Sequence, residues 1–233
     1  MKKLGIIGAM EVEVALLKEQ LENVAVERHA GMEFCSGILR GLPVVIVRCG
    51  VGKVNAALCV QVLADLFDVT HIVNTGIAGS LDADLDIGDI VISTDVMYHD
   101  FHVAPFGYPV GQVPGMDVLA FPADKTLSAL ARETCQSRNI RCRLGRVVSG
   151  DQFVCETRVK ERIVANCHGL CTEMEGAAIA HAAYRNGIPV LVLRAISDKA
   201  DDSATMDYPT FEAQAAEHCA AITAALAESL AGD

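Results

Sequence analysis

The residues best equipped for chemistry stand at the ends of apolar runs. Ile188–Asp198 reads IPVLVLRAISD, a pattern that suits a strand buried on both faces with Pro189 in its first extended residues. Its far end carries Arg194, Ser197 and Asp198. A buried strand gains nothing from such groups unless they emerge where something polar binds. In open α/β sheets that place is the crevice beyond the carboxyl ends of the strands. A second acidic cluster, Thr172-Glu173-Met174-Glu175, precedes the helix that feeds this strand, and Glu13 opens a helix just after another apolar run, Leu4–Ile7. Each has a plainer reading: Asp198 as a cap, Glu13 and Glu175 as solvated first-turn glutamates, Phe153 as core. Their shared position at strand ends favours one polar site.

The elements that must position these groups alternate regularly. After Leu4–Ile7 comes a helix through Val14, Leu16 and Leu17. Met32–Leu39 and Pro43–Val47 read as strands joined by a hairpin turn at Arg40-Gly41. Lys53–Phe67 shows a helical apolar face. His71–Asn74 is a strand closed by a glycine turn, Thr75–Ser80, and Asp89–Ser93 is another. A helix at Lys125–Arg138, a strand at Cys142–Ser149 and helices at Arg158–Val164 and Glu175–Arg185 lead to the strand Ile188–Asp198. A long alanine-rich helix, Thr210–Leu230, closes the chain. This order predicts an α/β fold over 1–233 as one domain.

Residues 97–121 break the rhythm. Three prolines, Gly107, Gly111 and Gly115, and the aromatic residues Tyr98, Phe101, Phe106 and Tyr108 make this a long connection of the kind that binds ligand or a second subunit. Gly50-Val51-Gly52-Lys53 is only part of a phosphate loop, because Val47 and Val54 stand where that motif needs Gly and Ser or Thr. Gly5-Ile6-Ile7-Gly8 lacks the third glycine of a dinucleotide fingerprint. Both read as tight strand-to-helix turns whose amides point into one crevice.

The chain has 233 residues, 52% of them apolar, and a formal net charge of −11. A core of normal size is within reach, and nucleic acid or an anionic membrane is excluded as the main partner. MKKLGIIGAMEVE has too short an apolar run for a signal peptide, and no apolar stretch is long enough to span a bilayer. Nine cysteines, an odd number set mostly among apolar residues, read as free thiols of a cytoplasmic protein. Cys167 and Cys171 have no second pair at ligand spacing, so neither a metal nor a cofactor is expected.

In combination, several stretches resemble the bacterial 5'-methylthioadenosine/S-adenosylhomocysteine nucleosidases of the purine nucleoside phosphorylase superfamily. They are GIIGAMEVEV at 5–14, CGVGKVNAA at 49–57, NTGIAG at 74–79, GDIV at 88–91, YHD at 98–100, FGYPVGQVPG at 106–115, SGDQF at 149–153, EMEGAAIAH at 173–181 and RAISDKAD at 194–201. They keep family order and cover nearly the whole chain. The resemblance implies a three-layer α/β/α sandwich around a central mixed sheet, and a homodimer sharing loop 97–121. It implies that Asp198 protonates N7 of the purine and that Glu13 activates the attacking water, with Arg194 and Ser197 holding the acidic groups. It further implies that Phe153 stacks on the base, that the Val154 backbone reads its edge, and that Glu175 binds the ribose with Met174 against the sugar. Met10, Val51, Ile77, Glu173 and Tyr208 complete the pocket, Tyr208 at the 5' thio group. Val103 and Phe106 reach that group from the second subunit. The implied ligands are small 5'-thio-adenosine nucleosides, with 5'-deoxyadenosine a further substrate.

The residue types agree with this independently. Cleavage of a glycosidic bond needs an acid for the leaving group and a carboxylate that activates water. An ordinary Asp is ionised at neutral pH, so Asp198 needs a raised pKa or a hydrogen bond that forms as N7 becomes basic. At a helix start the dipole favours ionised Glu13, and a base there needs burial to compensate. Two positions depart from the family pattern: Ile77 replaces a small hydroxyl residue, and Tyr208 replaces the commoner Phe. Three other readings stay open: a phosphorolytic enzyme on the same fold, a futalosine-type nucleosidase, and a nucleoside-sensing domain without catalysis.

Overall fold

The computed structural model describes residues 2–232, with the side chain of Met206 left out. The sheet is built around β1 (Leu4–Gly8), which lies parallel between β4 (Leu42–Arg48) and β5 (His71–Ser80). Outward from β4 the sheet continues antiparallel through β3 (Met32–Leu39) to the edge strand β2 (Glu22–His29). Arg40 and Gly41, both at positive φ, form the turn between β3 and β4, the two-residue type that matches strand twist.

On the other side of β1 the sheet curls. β10 (Val190–Asp198) pairs parallel with β5 and antiparallel with β6 (Ile90–Tyr98). β6 continues to β8 (Cys142–Ser149), β8 to β9 (Cys171–Glu173), and β9 returns antiparallel to β5. Five strands therefore close into a ring at one end of a mixed sheet. The two-residue β7 (Phe121–Pro122) adds to the margin of β6.

Helices cover both faces, giving the expected three layers. α2 (Lys53–Phe67) and α5 (Gly176–Asn186) pack one face through Ala56, Val60, Leu63, Ala177, Ile179 and Ala183. α1 (Glu11–Lys18), α3 (Lys125–Ser137) and α6 (Ala204–Gly232) pack the other through Val14, Leu17, Leu127, Ala216, Ile222 and Leu226. α4 (Thr157–Cys167) seals a smaller cluster with Val148, Val154 and Ala200. Small alanines bring α5 and α6 close to strands buried on both faces, as the unbroken apolar runs of β1 and β10 require. No helix among the described residues is long and apolar enough to cross a membrane, and all nine cysteines are unbridged.

Three expectations need correction. Thr75–Ser80 is not a turn: it continues β5, fully buried, with Arg194, Ala195 and Ile196 of β10 beside Gly76, Ile77 and Ala78. The glycines serve close approach, because a Cβ on Gly76 would lie 2.3 Å from Glu13 Oε1. The last helix begins at Ala204, six residues early, and carries Pro209 within it. The long connection is shorter than 97–121, since Met97 and Tyr98 end β6 in the core and Phe121 is buried in β7. Its remainder is pinned by the Gly111 N–H on Phe101 O at 2.9 Å and by Gln112 on the Met116 and Val118 carbonyls.

Candidate active site

The carboxyl ends of β1, β5 and β10, the start of α5 and the turn before α2 enclose a cavity. Met10, Glu13, Val51, Ile77, Phe153, Val154, Glu173, Met174, Glu175, Ser197, Asp198 and Tyr208 all line it. Thus the sequence candidates converge, with three of them outside the lining. Val103 and Phe106 lie outside this lining, and Phe106 is 81% exposed at the tip of the long connection. Arg194 sits directly behind the wall, 2% exposed.

Glu13 is the third residue of α1, and its position follows from capping. Oε2 accepts the Met10 N–H at 2.9 Å and the Ala9 N–H at 2.6 Å, as a glutamate closing a capping box does. Oε1 accepts the Ile77 N–H from β5 at 3.1 Å. Burial raises the pKa of Glu13, while Arg194 and these N–H groups pull it back. Oε1 takes a single N–H and keeps an acceptor site open.

Asp198 ends β10 and is 2% exposed. Oδ1 accepts the Ala200 N–H and Oδ2 the Ser197 hydroxyl, both at 2.8 Å. Burial raises its pKa; the two hydrogen bonds oppose the shift, and Asp207 and Asp201 add to it. The carboxyl is therefore held closer to its protonated form than a surface aspartate.

Arg194 ties the acidic groups together. Nη2 donates to Glu173 Oε2 and, at 2.6 Å, to Asn74 Oδ1, while Nη1 donates to the Leu193 carbonyl at 3.0 Å. Burial alone would lower its pKa, but Glu173, then Glu13 and Glu175, outweigh that and keep it charged. Glu173 also accepts the Ser149 hydroxyl and the N–H groups of Glu175 and Gly176 at the start of α5, where the helix dipole favours an anion. Glu175 accepts the Gly52 N–H at 2.8 Å. Burial, then repulsion from Glu173, pushes its pKa up to about 8. Three glutamates thus share one guanidinium.

The apolar walls are Met10, Val51, Ile77, Phe153, Val154, Met174 and Tyr208. Phe153 is 44% exposed and meets Tyr208 edge-on, centroids 5.5 Å apart. Tyr208 OH lies 3.3 Å from Met10 Sδ and 3.5 Å from Glu212 Oε1. A half-exposed phenylalanine on a cavity rim offers a face for a flat ring. Sequence reasoning gave no role to Asn74 and Ser149, which hold Arg194 and Glu173, or to Gly79, Gln152 and Thr172 in the lining. The signal was present in NTGIAG and SGDQF, where polar residues close apolar runs as Asp198 does.

Residues 3–228 match the family described as the phosphorylase superfamily. The chain is similar to the 5'-methylthioadenosine/S-adenosylhomocysteine nucleosidase of Halalkalibacterium halodurans, 41% identical over 212 residues, 91% of either chain. It is similar to the solved 5'-methylthioadenosine/S-adenosylhomocysteine nucleosidase of Neisseria meningitidis in complex with methylthio-immucillin-A. That match has a TM-score of 0.95 at 35% identity and covers 98% of this chain and 100% of the other. It is also similar to the futalosine hydrolase of Helicobacter pylori strain 26695, with a TM-score of 0.94 at 30% identity over 98% of each chain.

The raised pKa of Glu175 has a measurable consequence. An unfolded glutamate loses its proton near about 4.3, whereas the folded group keeps it up to about 8. Between those values the folded state binds the extra proton, so rising pH favours unfolding. The melting temperature of the ligand-free protein should fall from pH 6 to pH 8, and Glu175→Gln should flatten that fall. Parallel curves for the two proteins would show that Glu175 titrates normally.

Proposed function

The chain belongs to the phosphorylase superfamily, and on that premise we propose that it is a hydrolase cleaving the N-glycosidic bond of 5'-methylthioadenosine and S-adenosylhomocysteine. Water, not phosphate, is the nucleophile. One observation carries this choice: the lining contains Glu13, Glu173, Glu175 and Asp198 and, among the described residues, no lysine, arginine or histidine. A phosphate dianion there would face carboxylates at every approach. Arg48 is no counterweight, being exposed and 3.7 Å from Glu11.

In this reading Asp198 gives its proton to N7 as the bond from C1' to N9 breaks, and the bonding electrons pass into the purine. Glu13 Oε1 takes a proton from the water whose oxygen joins C1'. The products are adenine and the corresponding thioribose. Glu175 binds the ribose hydroxyls, Met174 packs on the sugar, and Phe153 stacks on the base beside the Val154 backbone. Ser197 and Arg194 act as positioning residues. The raised pKa values support the assignment, since each carboxyl is moved toward the range where it exchanges protons near neutrality.

A homodimer of a cytoplasmic enzyme belongs to the same proposal. Phe106 is exposed beside Tyr108, and α2 exposes Val54, Leu58 and Leu66. Covering a phenylalanine side chain is worth about 1.5–3 kcal/mol, and with the exposed apolar face of α2 it supports a second copy that also brings Val103 and Phe106 to the other cavity. Light scattering should give twice the chain mass, and Phe106→Ala should raise KM. A fully active monomer would rule out the shared site.

The reaction itself is tested by product analysis. 5'-Methylthioadenosine should yield adenine and methylthioribose at a rate indifferent to phosphate, and a sugar 1-phosphate formed only with phosphate would refute hydrolysis. Asp198→Asn and Glu13→Gln should both fold and lose about 10²–10⁴ in kcat, the usual worth of general acid–base catalysis. A substrate whose leaving group needs no proton should rescue only the first.

A further inference from the structure

Thr172 lines the cavity at 5% exposure, and its hydroxyl has no hydrogen-bond partner among the described residues. A buried hydroxyl left unpaired is a cost to the free protein, and such groups are rare enough to call for a use. The sheet register supplies one. Thr172 in β9 lies opposite Gly79 in β5, and Asp198 in β10 lies opposite the same glycine from the other side. Cross-strand partners project toward the same face of a sheet. Gly79 puts nothing between them, and a Cβ there would come within 2.7 Å of Asp198 Oδ1. Two polar side chains therefore flank a strip of bare backbone, two strand spacings or about 10 Å across. On its other flank Thr172 faces Val148, which offers no side-chain partner.

Resting on the purine reading given above, we infer that the Thr172 hydroxyl is a specificity contact that donates a hydrogen bond to N3 of the bound purine. A purine laid across Gly79 with its N7 edge on Asp198 turns the opposite edge, which carries N3, toward Thr172. N3 and the sugar-bearing N9 share the carbon C4, and Thr172 stands two and three residues before Met174 and Glu175 of the ribose side. As the glycosidic bond breaks, electron density gathers on the ring nitrogens. A donor at N3 then strengthens in the transition state and works with Asp198 from the far edge of the same leaving group.

Thr172→Val keeps the shape and removes the hydroxyl, whereas Thr172→Ser keeps the hydroxyl. Calorimetry with adenine and 3-deazaadenine separates a ring contact from packing, because only adenine has the N3 acceptor. Thr172→Val should melt higher than the native protein when ligand-free, bind adenine about 3- to 10-fold more weakly, and bind 3-deazaadenine as the native protein does. Thr172→Ser should retain the native preference for adenine. An unchanged ratio of the two affinities in Thr172→Val overturns the contact while leaving the purine site intact. If the native protein binds neither base, the purine reading fails and the contact with it.

Discussion

The guanidinium of Arg194 is the group on which the rest of the site depends. It lies behind the cavity wall, bonded to Glu173 and Asn74, and its field reaches Glu13 and Glu175. Such a buried pair is weak as a source of stability, since desolvation consumes most of the attraction. Removing the cation is another matter: it would leave buried carboxylates uncompensated, a loss of about 3–5 kcal/mol for a single broken pair. One cation among three glutamates cannot neutralise them all. The surplus is relieved at Glu175, whose pKa is pushed up to about 8 by burial and by Glu173, while burial also moves Glu13 upward. The arrangement sacrifices stability for carboxyl groups able to exchange protons near neutral pH.

Backbone geometry makes that crowding possible. Glu13 and Arg194 both press on Gly76, and Asp198 presses on Gly79, so β5 carries no side chain at the two positions these groups crowd. The same strand holds its path because β1, β9 and β10 all pair with it. Amide groups complete the electrostatics: Ala9, Met10 and Ile77 serve Glu13, Gly52 serves Glu175, and the start of α5 serves Glu173. These donors are fixed by secondary structure and need no reorganisation during reaction.

Much of this was legible in the sequence, for physical reasons that differ by element. β10 was readable because a doubly buried strand has an apolar run whose polar end stands out, and α2 because its periodicity is unbroken between Lys53 and Phe67. β2 was not, since all but its last residue are exposed and no alternation marks it. β9 has only three residues. The continuation of β5 was hidden by its glycines, which sequence reading takes for turn formers although here they make room for side chains from β10 and α1. The early start of α6 was masked by Pro209, which looks like a helix boundary. Thr172 stood in the cluster before α5, but its role could not be read without the register that sets it across Gly79 from Asp198.

The central claim is that surplus negative charge around Arg194 is stored as a bound proton in the resting site. Carboxyl ¹³C resonances of glutamate-labelled protein, followed through a pH titration and assigned with Glu13→Gln and Glu175→Gln, test it directly. The account predicts a Glu175 resonance that titrates near pH 8 and a Glu13 resonance displaced upward from ordinary glutamates. If every glutamate resonance titrates in the ordinary range, near about pH 4.3, no proton is stored and the electrostatic account of this site is wrong.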